Sequence, residues 1–323
     1  MTLRNSLFAV SGKASFLDAR RDMSGLFVCD KTTMLPIAGI LDRSQDNLVT
    51  GRGDSMSVTV HPFNAVLNRY GALLIQNDGS VKVPLSAAPS ANSRIDVVYV
   101  KQNETRSPMS DGSDVPEFGV VNGVAAATPV APSVPAGALA LAQVLLPAGV
   151  SNTAAAGVVI TQTYIGAAMK GGMLRVQTSA QRDAMTMVPE GTLLHNVADD
   201  CDYLRTPSGK WSKTNDELQF KPPYTADKWI LRRNWDTVVV NGYVHYQSSG
   251  QNNNMPAKEK IPYEWCPALG GLKPDVTAPG SVSATNANWC NFIKLDGTIV
   301  MLGDTQSAFS GVTGVWQCVN WRA

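Results

Sequence analysis

Alternation of polar and apolar positions, not a helical repeat, organises most of this chain. Ser55-Met56-Ser57-Val58-Thr59-Val60 and Gly79-Ser80-Val81-Lys82-Val83-Pro84-Leu85 change character at every second residue, the period of a strand with one buried face. Ile95-Asp96-Val97-Val98-Tyr99-Val100 is apolar almost throughout and predicts a largely buried strand. Asp236 to Tyr246 predicts a long strand that turns at Asn241-Gly242. Asn77-Asp78-Gly79 and Asp296-Gly297 are hairpin-turn signals between apolar runs. Helix signals are scarce. The one convincing helical stretch runs from Ser179 to Met185, with Thr178 or Ser179 as its N-cap. The chain therefore reads as mainly β, in several short-stranded modules. The absence of a 20–50-residue repeat argues against a solenoid or propeller.

Two stretches break this rhythm. Ala138 to Pro147 alternates small and large apolar residues, as does a strand that fills a core or an interface. Just before it, Ala125 to Pro135 is too rich in Pro for helix and predicts an extended or polyproline arm. Residues 118–169 contain no Asp, Glu, Lys or Arg at all. An Ala/Thr/Pro/Val segment has too few bulky side chains to offset its own ordering entropy. Linkers are usually rich in Ser, Gly and charge, so contact with another subunit is the favoured reading over a flexible tether. Ala167 to Met173 predicts a hinge. The boundaries follow: residues 1–167 as an N-terminal β module with its arm, 168–221 as hinge and small β insert, and 222–323 as a C-terminal β module opened by Lys221-Pro222-Pro223-Tyr224.

Composition narrows the classes of function. A chain of 323 residues accommodates two or three domains. Charged residues make up 16%, against roughly 25% in an average soluble chain. Lys and Arg number 27 and Asp and Glu 26, a net charge of +1 that argues against bulk nucleic-acid binding. The run Leu7-Phe8-Ala9-Val10 is too short for the core of a signal peptide. The best apolar stretch, Gly137 to Val150, is interrupted by Gln143 and Pro147, so no membrane span is expected and synthesis is expected in the cytosol. Five Cys (29, 201, 266, 290 and 318) without CxxC spacing predict reduced, partly buried thiols. A bridge between one pair of Cys266, Cys290 and Cys318 in an oxidising medium is the lesser alternative.

Catalytic signals are weak. His61, His195 and His245 lie far apart with no second ligand at i+2 to i+4, so structural or surface roles are favoured over a zinc site. His195 and Cys201 with Asp199, Asp200 and Asp202 have the composition of a nucleophile, base and orienter, but sit in a turn-like stretch without an oxyanion-hole motif. The Asp cluster also lacks the Gly and terminal Glu of a calcium loop. No phosphate-cradling Gly-rich loop, GxSxG elbow or HExxH motif occurs. The chain is accordingly expected to be non-enzymatic, with no catalytic residue, metal or cofactor. Paired carboxylates about 5–10 Å apart for glycan cleavage remain an open minority alternative. Gly51-Arg52-Gly53-Asp54-Ser55 spells an adhesion pentapeptide, and is expected to be a turn leading into the strand that follows. Asn103-Glu104-Thr105 is a glycosylation sequon that acts only on a secretory route.

Aromatic residues carry the stronger signal. All seven Trp lie after residue 210. Tyr263, Trp265, Trp289, Trp316 and Trp321 occur among Asn253, Asn254, Asn286, Asn288, Asp296, Asp304 and Gln306. Aromatic faces stack on sugar rings while amides and carboxylates bond to hydroxyls. Tyr263, Trp265, Trp289, Asp304, Trp316 and Trp321 are thus the candidate receptor-binding residues. At least half of the Trp are expected to serve core or interface packing instead.

Four segments resemble a known protein family. Gly53 to Val60, Ser93-Arg94-Ile95-Asp96-Val97-Val98-Tyr99-Val100, and Pro135-Ala136-Gly137-Ala138-Leu139-Ala140-Leu141-Ala142-Gln143-Val144 closed by Pro147-Ala148-Gly149 are three of them. The fourth runs through Gln181-Arg182-Asp183-Ala184, Glu190-Gly191-Thr192 and Tyr203 to Gly209-Lys210-Trp211. Together they resemble the tail-fibre, baseplate and receptor-binding proteins of tailed bacteriophages, particularly those of Gram-positive hosts. The last hundred residues match only through Asp296 to Val300 and the closing Trp316 and Trp321. The resemblance implies a homotrimeric virion protein of the tail, made in the host cytoplasm. It implies a multi-domain, mainly β architecture: an N-terminal β-sandwich-like attachment module, a small β insert and a C-terminal β-sandwich head. Ala125, Pro129, Pro132, Pro135, Leu139 and Leu141 would then lie at the trimer interface, where buried charge is costly. Its partners would be its own copies, other tail or baseplate proteins, and a host-surface saccharide or protein, bound with avidity by three heads. A purely structural tail component and a tail-associated glycan hydrolase are the alternatives.

Overall fold

A computed structural model describes residues 15–221, 228–244, 255–266, 280–284, 289–293, 297–303 and 310–318. The chain divides into two compact units, residues 1–200 and 201–323. Both are mainly β.

In the first unit, helix α1 (Phe16–Ser24) precedes β1 (Gly39–Arg43), β2 (Val49–Gly51), β3 (Ser57–Val60), β4 (Phe63–Asn68), β5 (Ala72–Asn77) and β6 (Val81–Pro84). Then come β7 (Arg94–Gln102), β8 (Pro116–Val121), β9 (Leu139–Leu146), β10 (Val159–Gln162), β11 (Met173–Val176), α2 (Ser179–Ala184) and β12 (Leu193–Asn196). Three antiparallel sheets, ordered β1-β4-β5, β2-β3-β6 and β10-β9-β7-β8, contribute to one core. Leu48, Val58, Val60, Leu67, Val98, Leu141, Val144 and Leu146 are sealed from solvent there. Each such side chain contributes about 1.5–3 kcal/mol on burial, which no sheet could gain alone. The strands expected around residues 55–60, 79–85, 95–100 and 138–147 are β3, β6, β7 and β9.

Leu139 and Leu141 require a correction. The alternation in β9 turns both inward, with Leu139 only 8% exposed and Leu141 not at all, into the core of their own chain. They are therefore core residues rather than part of an interface arm. The expected hinge is also stitched down. Val28 donates its amide to the Ala168 carbonyl, Ala167 to that of Ile40 and Lys170 to that of Leu26. Asn77-Asp78-Gly79 does turn the chain, yet it joins strands of different sheets, because β5 pairs with β4 and β6 with β3.

Helix α1 has no counterpart among the expected elements. Its signal is a capping box: the Ser15 hydroxyl accepts from the Asp18 amide while Asp18 accepts from the Ser15 amide at 2.9 Å. The expected second helix is α2, capped by the Thr178 hydroxyl, which accepts from the Gln181 amide. It bridges β11 and β12, which pair in parallel and so need a crossover connection.

In the second unit β13 (Cys201–Arg205) and β14 (Trp211–Lys213) form a hairpin. The rest of this unit comprises β15 (Asn215–Phe220), β16 (Trp229–Asn234), β17 (Thr237–Val244), β18 (Met255–Lys260), a 3-10 turn at Tyr263–Trp265, β19 (Gly280–Ala284), β20 (Trp289–Ile293), β21 (Thr298–Gly303) and β22 (Ser310–Gln317). Strands β15 to β22 hydrogen-bond into one antiparallel sheet, ordered β15-β16-β17-β22-β19-β20-β21-β18. Asn241-Gly242 does not turn: β17 runs straight through it, with Asn241 opposite Thr313 and Gly242 opposite Val312. Pairing on both sides overrides the local turn preference.

Candidate functional site

The two faces of the β15-β16-β17-β22 region differ sharply in chemistry. On the inner face, Asp216, Arg233, Val238 and Trp316 form one row across the four strands. Leu218, Leu231 and Val240 form the next, and Phe220 meets Trp229 at 6.2 Å between ring centroids. Trp229, Leu231, Val238 and Val240 are completely buried. On the opposite face, Glu217 pairs with Arg232 at 3.0 Å, in a row that continues through Val239 to Val315. Next to it run Gln219 and Ile230.

This geometry divides the candidate receptor-binding residues. Trp265 and Trp316 are 3% and 4% exposed, and the Trp316 Nε1 donates to the Trp265 carbonyl at 2.8 Å. The Arg233 guanidinium lies 4.8 Å from the Trp265 ring centroid. Both indoles thus belong to the packed interior, together with buried Cys266 and Cys318. Tyr263 is different. Pro262 and the 3-10 turn that follows leave its ring 60% exposed. Trp289 pairs with Gly303 through β20 and β21. Asp304 and Trp321 lie outside the described residues, as do His245, Asn253, Asn254, Asn286, Asn288, Asp296 and Gln306.

In the second unit, exposed Trp235 is an aromatic that the sequence pattern does not single out. Trp235 sits at the tip of the β16–β17 turn with a positive φ of 55°, and is 41% exposed. Such a backbone is unusual for a bulky residue, and its amide is fixed by the Thr214 carbonyl at 2.7 Å. Its only sequence signal is the Asn234-Trp235-Asp236 context between two apolar runs.

In the first unit the arm between β8 and β9 is extended and forms no strand. Ala126 donates to the Ser93 carbonyl at 3.0 Å, and Ala138 to that of Pro135. Ala125 is exposed, and Pro129, Pro132 and Pro135 are half-buried. Val124 and Val130 are 79% and 78% exposed. This is unusual exposure for valine in a segment without charge.

The remaining motifs have structural explanations. Arg52 and Asp54 of the adhesion-like pentapeptide bond to each other through two contacts of 2.9 and 2.7 Å. That pairing, followed by a bond from Ser55, holds the Asp54 carboxyl well below the usual carboxylate range. The sequon Asn103 is buried, which leaves no room for a glycan. His61 lies between the Thr50 hydroxyl at 2.9 Å and the Ser80 hydroxyl at 3.4 Å. His195 lies in β12 with its Nε2 3.7 Å from Asp200, while Cys201 opens β13. Cys29 is a buried thiol whose pKa burial raises. No group of three metal-ligating side chains occurs among the described residues, and no described helix is long and apolar enough to cross a membrane.

A charged cluster ties β4 and β7 to the loop after β7. Arg69 and Lys101 both bond Asp111 at 2.6 Å, and Glu104 pairs with Arg20 and lies 3.4 Å from Arg69. The Lys101 ammonium is the main cause holding the Asp111 carboxyl down to about 2. Arg94, the first residue of β7, grips fully buried Asp96 with Nε and Nη2, while its Nη1 and Nη2 reach the Ala87 and Ser86 carbonyls. Asp96 also accepts the Gly123 amide at 3.0 Å, where the arm begins.

No family model matches the chain, and no curated protein matches it either.

Proposed function

We propose that this chain is a trimeric tail protein of a bacteriophage, whose first unit attaches it to the tail and whose second unit binds a saccharide on the bacterial surface. One observation carries the reading. Two of the segments that resemble phage tail proteins, Ser93 to Val100 and Pro135 to Val144, supply adjacent, directly paired strands, β7 and β9. The characteristic Arg94 and Asp96 are a buried ion pair of that sheet, so the resembling residues act together in one module. The extended, charge-free arm supports assembly with further copies. Exposed Tyr263 and Trp235 support stacking on sugar rings.

Adsorption tests this function. The full chain should label host cells and block phage adsorption, and removal of the surface saccharide should abolish both effects. Failure to label or block while the particle still adsorbs favours a purely structural tail component. The burial of Trp265 and Trp316 supports that second reading, because it removes two rings from the binding set.

A further inference from the structure

We infer that the first unit holds an anion site, built on Arg69 and Lys101, that accepts one carboxylate group. An open cleft of about 440 Å3 lies beside the charged cluster, bordered by Arg69, Tyr70, Lys101, Ser110, Asp111 and Gly137 among others. Its charges do not balance. Among the ion pairs of the described residues, Arg20, Arg69 and Lys101 bring three cations to the cluster and Glu104 and Asp111 two carboxylates. The surplus is poorly hydrated, since the Arg69 and Lys101 side chains are 6% and 11% exposed. A charge held this far from water is stabilised strongly by a counter-ion. Among the described residues Arg69 also has a hydrogen-bonding deficit: its buried Nη1 meets no acceptor there.

Both imbalances call for the same chemistry. One negative charge neutralises the cluster, and a planar carboxylate matches the fork of an arginine. The residues already paired do not supply it, because Asp111 is shared between Arg69 and Lys101 and also accepts the Glu104 amide at 2.9 Å. Gly137 leaves space beside the Arg69 stem that a side chain would crowd. It has a positive φ of 76°, and a Cβ there would lie 3.1 Å from the arginine side chain. The carboxylate has two sources with the same chemistry, a free small acid or an acidic side chain of a protein partner. The site belongs to the first unit and does not depend on saccharide binding by the second.

Calorimetric titration of the full-length protein at low ionic strength tests the site, with sodium acetate, N-acetyl-aspartyl amide and inorganic phosphate as probes. Saturable binding of a carboxylate probe, one per chain, at millimolar concentration or below is expected. Saturation by acetate alone assigns a free acid, and saturation by the aspartyl probe assigns a protein side chain. Lys101→Met should weaken binding about tenfold or more. Because Lys101 also holds the fold, exposed Ser110→Glu provides the second arm: it places a carboxylate at the cleft from within the chain and should abolish binding while leaving the cations intact. The site is overturned if neither carboxylate saturates, if phosphate binds more tightly than both, or if Ser110→Glu leaves the affinity unchanged.

Discussion

Tyr263 and Trp316 are both aromatic residues of the second unit, yet their environments assign them opposite roles. Trp316 is 4% exposed and bonds the Trp265 carbonyl, so Trp316→Ala leaves a large cavity and an unsatisfied acceptor. It should cost about 3–5 kcal/mol in denaturant unfolding. Tyr263→Ala removes a ring that is 60% exposed and should cost about 1 kcal/mol or less. If the second unit binds a saccharide by stacking, the same change should weaken cell binding about tenfold, and a Tyr263→Ala variant with wild-type cell binding would remove that ring from the site. In the first unit, titration distinguishes Asp111. Its carboxyl is depressed to about 2 in the folded chain, against about 3.9 when unfolded. A depressed acid stabilises the fold above the unfolded value, and that stabilisation is lost as pH falls through the folded one. The stability difference between the wild type and Asp111→Asn should therefore be constant above about pH 5 and shrink between about pH 4 and 2. Unfolding midpoints measured across that range read it directly.

At the scale of elements, α1 is held by what the neighbouring turn lacks. The β4–β5 turn passes under the helix at Gly71, whose φ is +149°. A Cβ there would lie 2.6 Å from the Arg20 carbonyl carbon and Cβ, while the Ser24 hydroxyl accepts the Ala72 amide beside it at 2.9 Å. Gly71→Ala should cost about 1–3 kcal/mol, and hydrogen exchange should show α1 opening before the sheets. Unchanged protection in α1 would mean that the helix does not depend on this close approach. Such tertiary facts mark the limit of sequence reading. Strands β3, β6, β7 and β9 are legible because each has one or both faces buried against a continuous core, which imposes its period on the residues. The polar helix α1 is not, since Asp18, Arg20, Arg21 and Asp22 obscure any apolar stripe, and its capping box uses Asp where Glu or Gln is the stronger signal. The straight course of β17 through Asn241-Gly242 is equally hidden, because its pairing with β16 and β22 prevents the turn. The candidate site is legible in type and not in membership. Aromatic enrichment after residue 210 is plain in the sequence, but whether an indole faces inward depends on register. One position along β22 separates buried Trp316 from Val315, which is 59% exposed.

For the whole molecule, the charge-free middle of the chain divides into two parts with different consequences. Strand β9 has spent its apolar residues on its own core, whereas the arm between β8 and β9 has not. Val124 and Val130 stand about four-fifths exposed on an extended backbone that forms no strand. A second and third copy would cover these side chains at no cost in buried charge, because residues 118–169 carry none. The proposed trimer then has a distinctive response to solvent. Raised sodium chloride should leave it intact, since few ion pairs are there to screen, and sulfate should strengthen it. Light scattering should give three times the 34.5 kDa chain mass. Val130→Asp is the decisive variant. At 78% exposure the side chain contributes little to the single chain, so circular dichroism should be unchanged. In a threefold assembly the same substitution places three carboxylates close together in an apolar interface, and the mass should fall to that of one chain. A wild-type chain that is already monomeric would refute the trimer. A Val130→Asp chain that remains trimeric would place the interface elsewhere and leave the arm to meet a different tail protein.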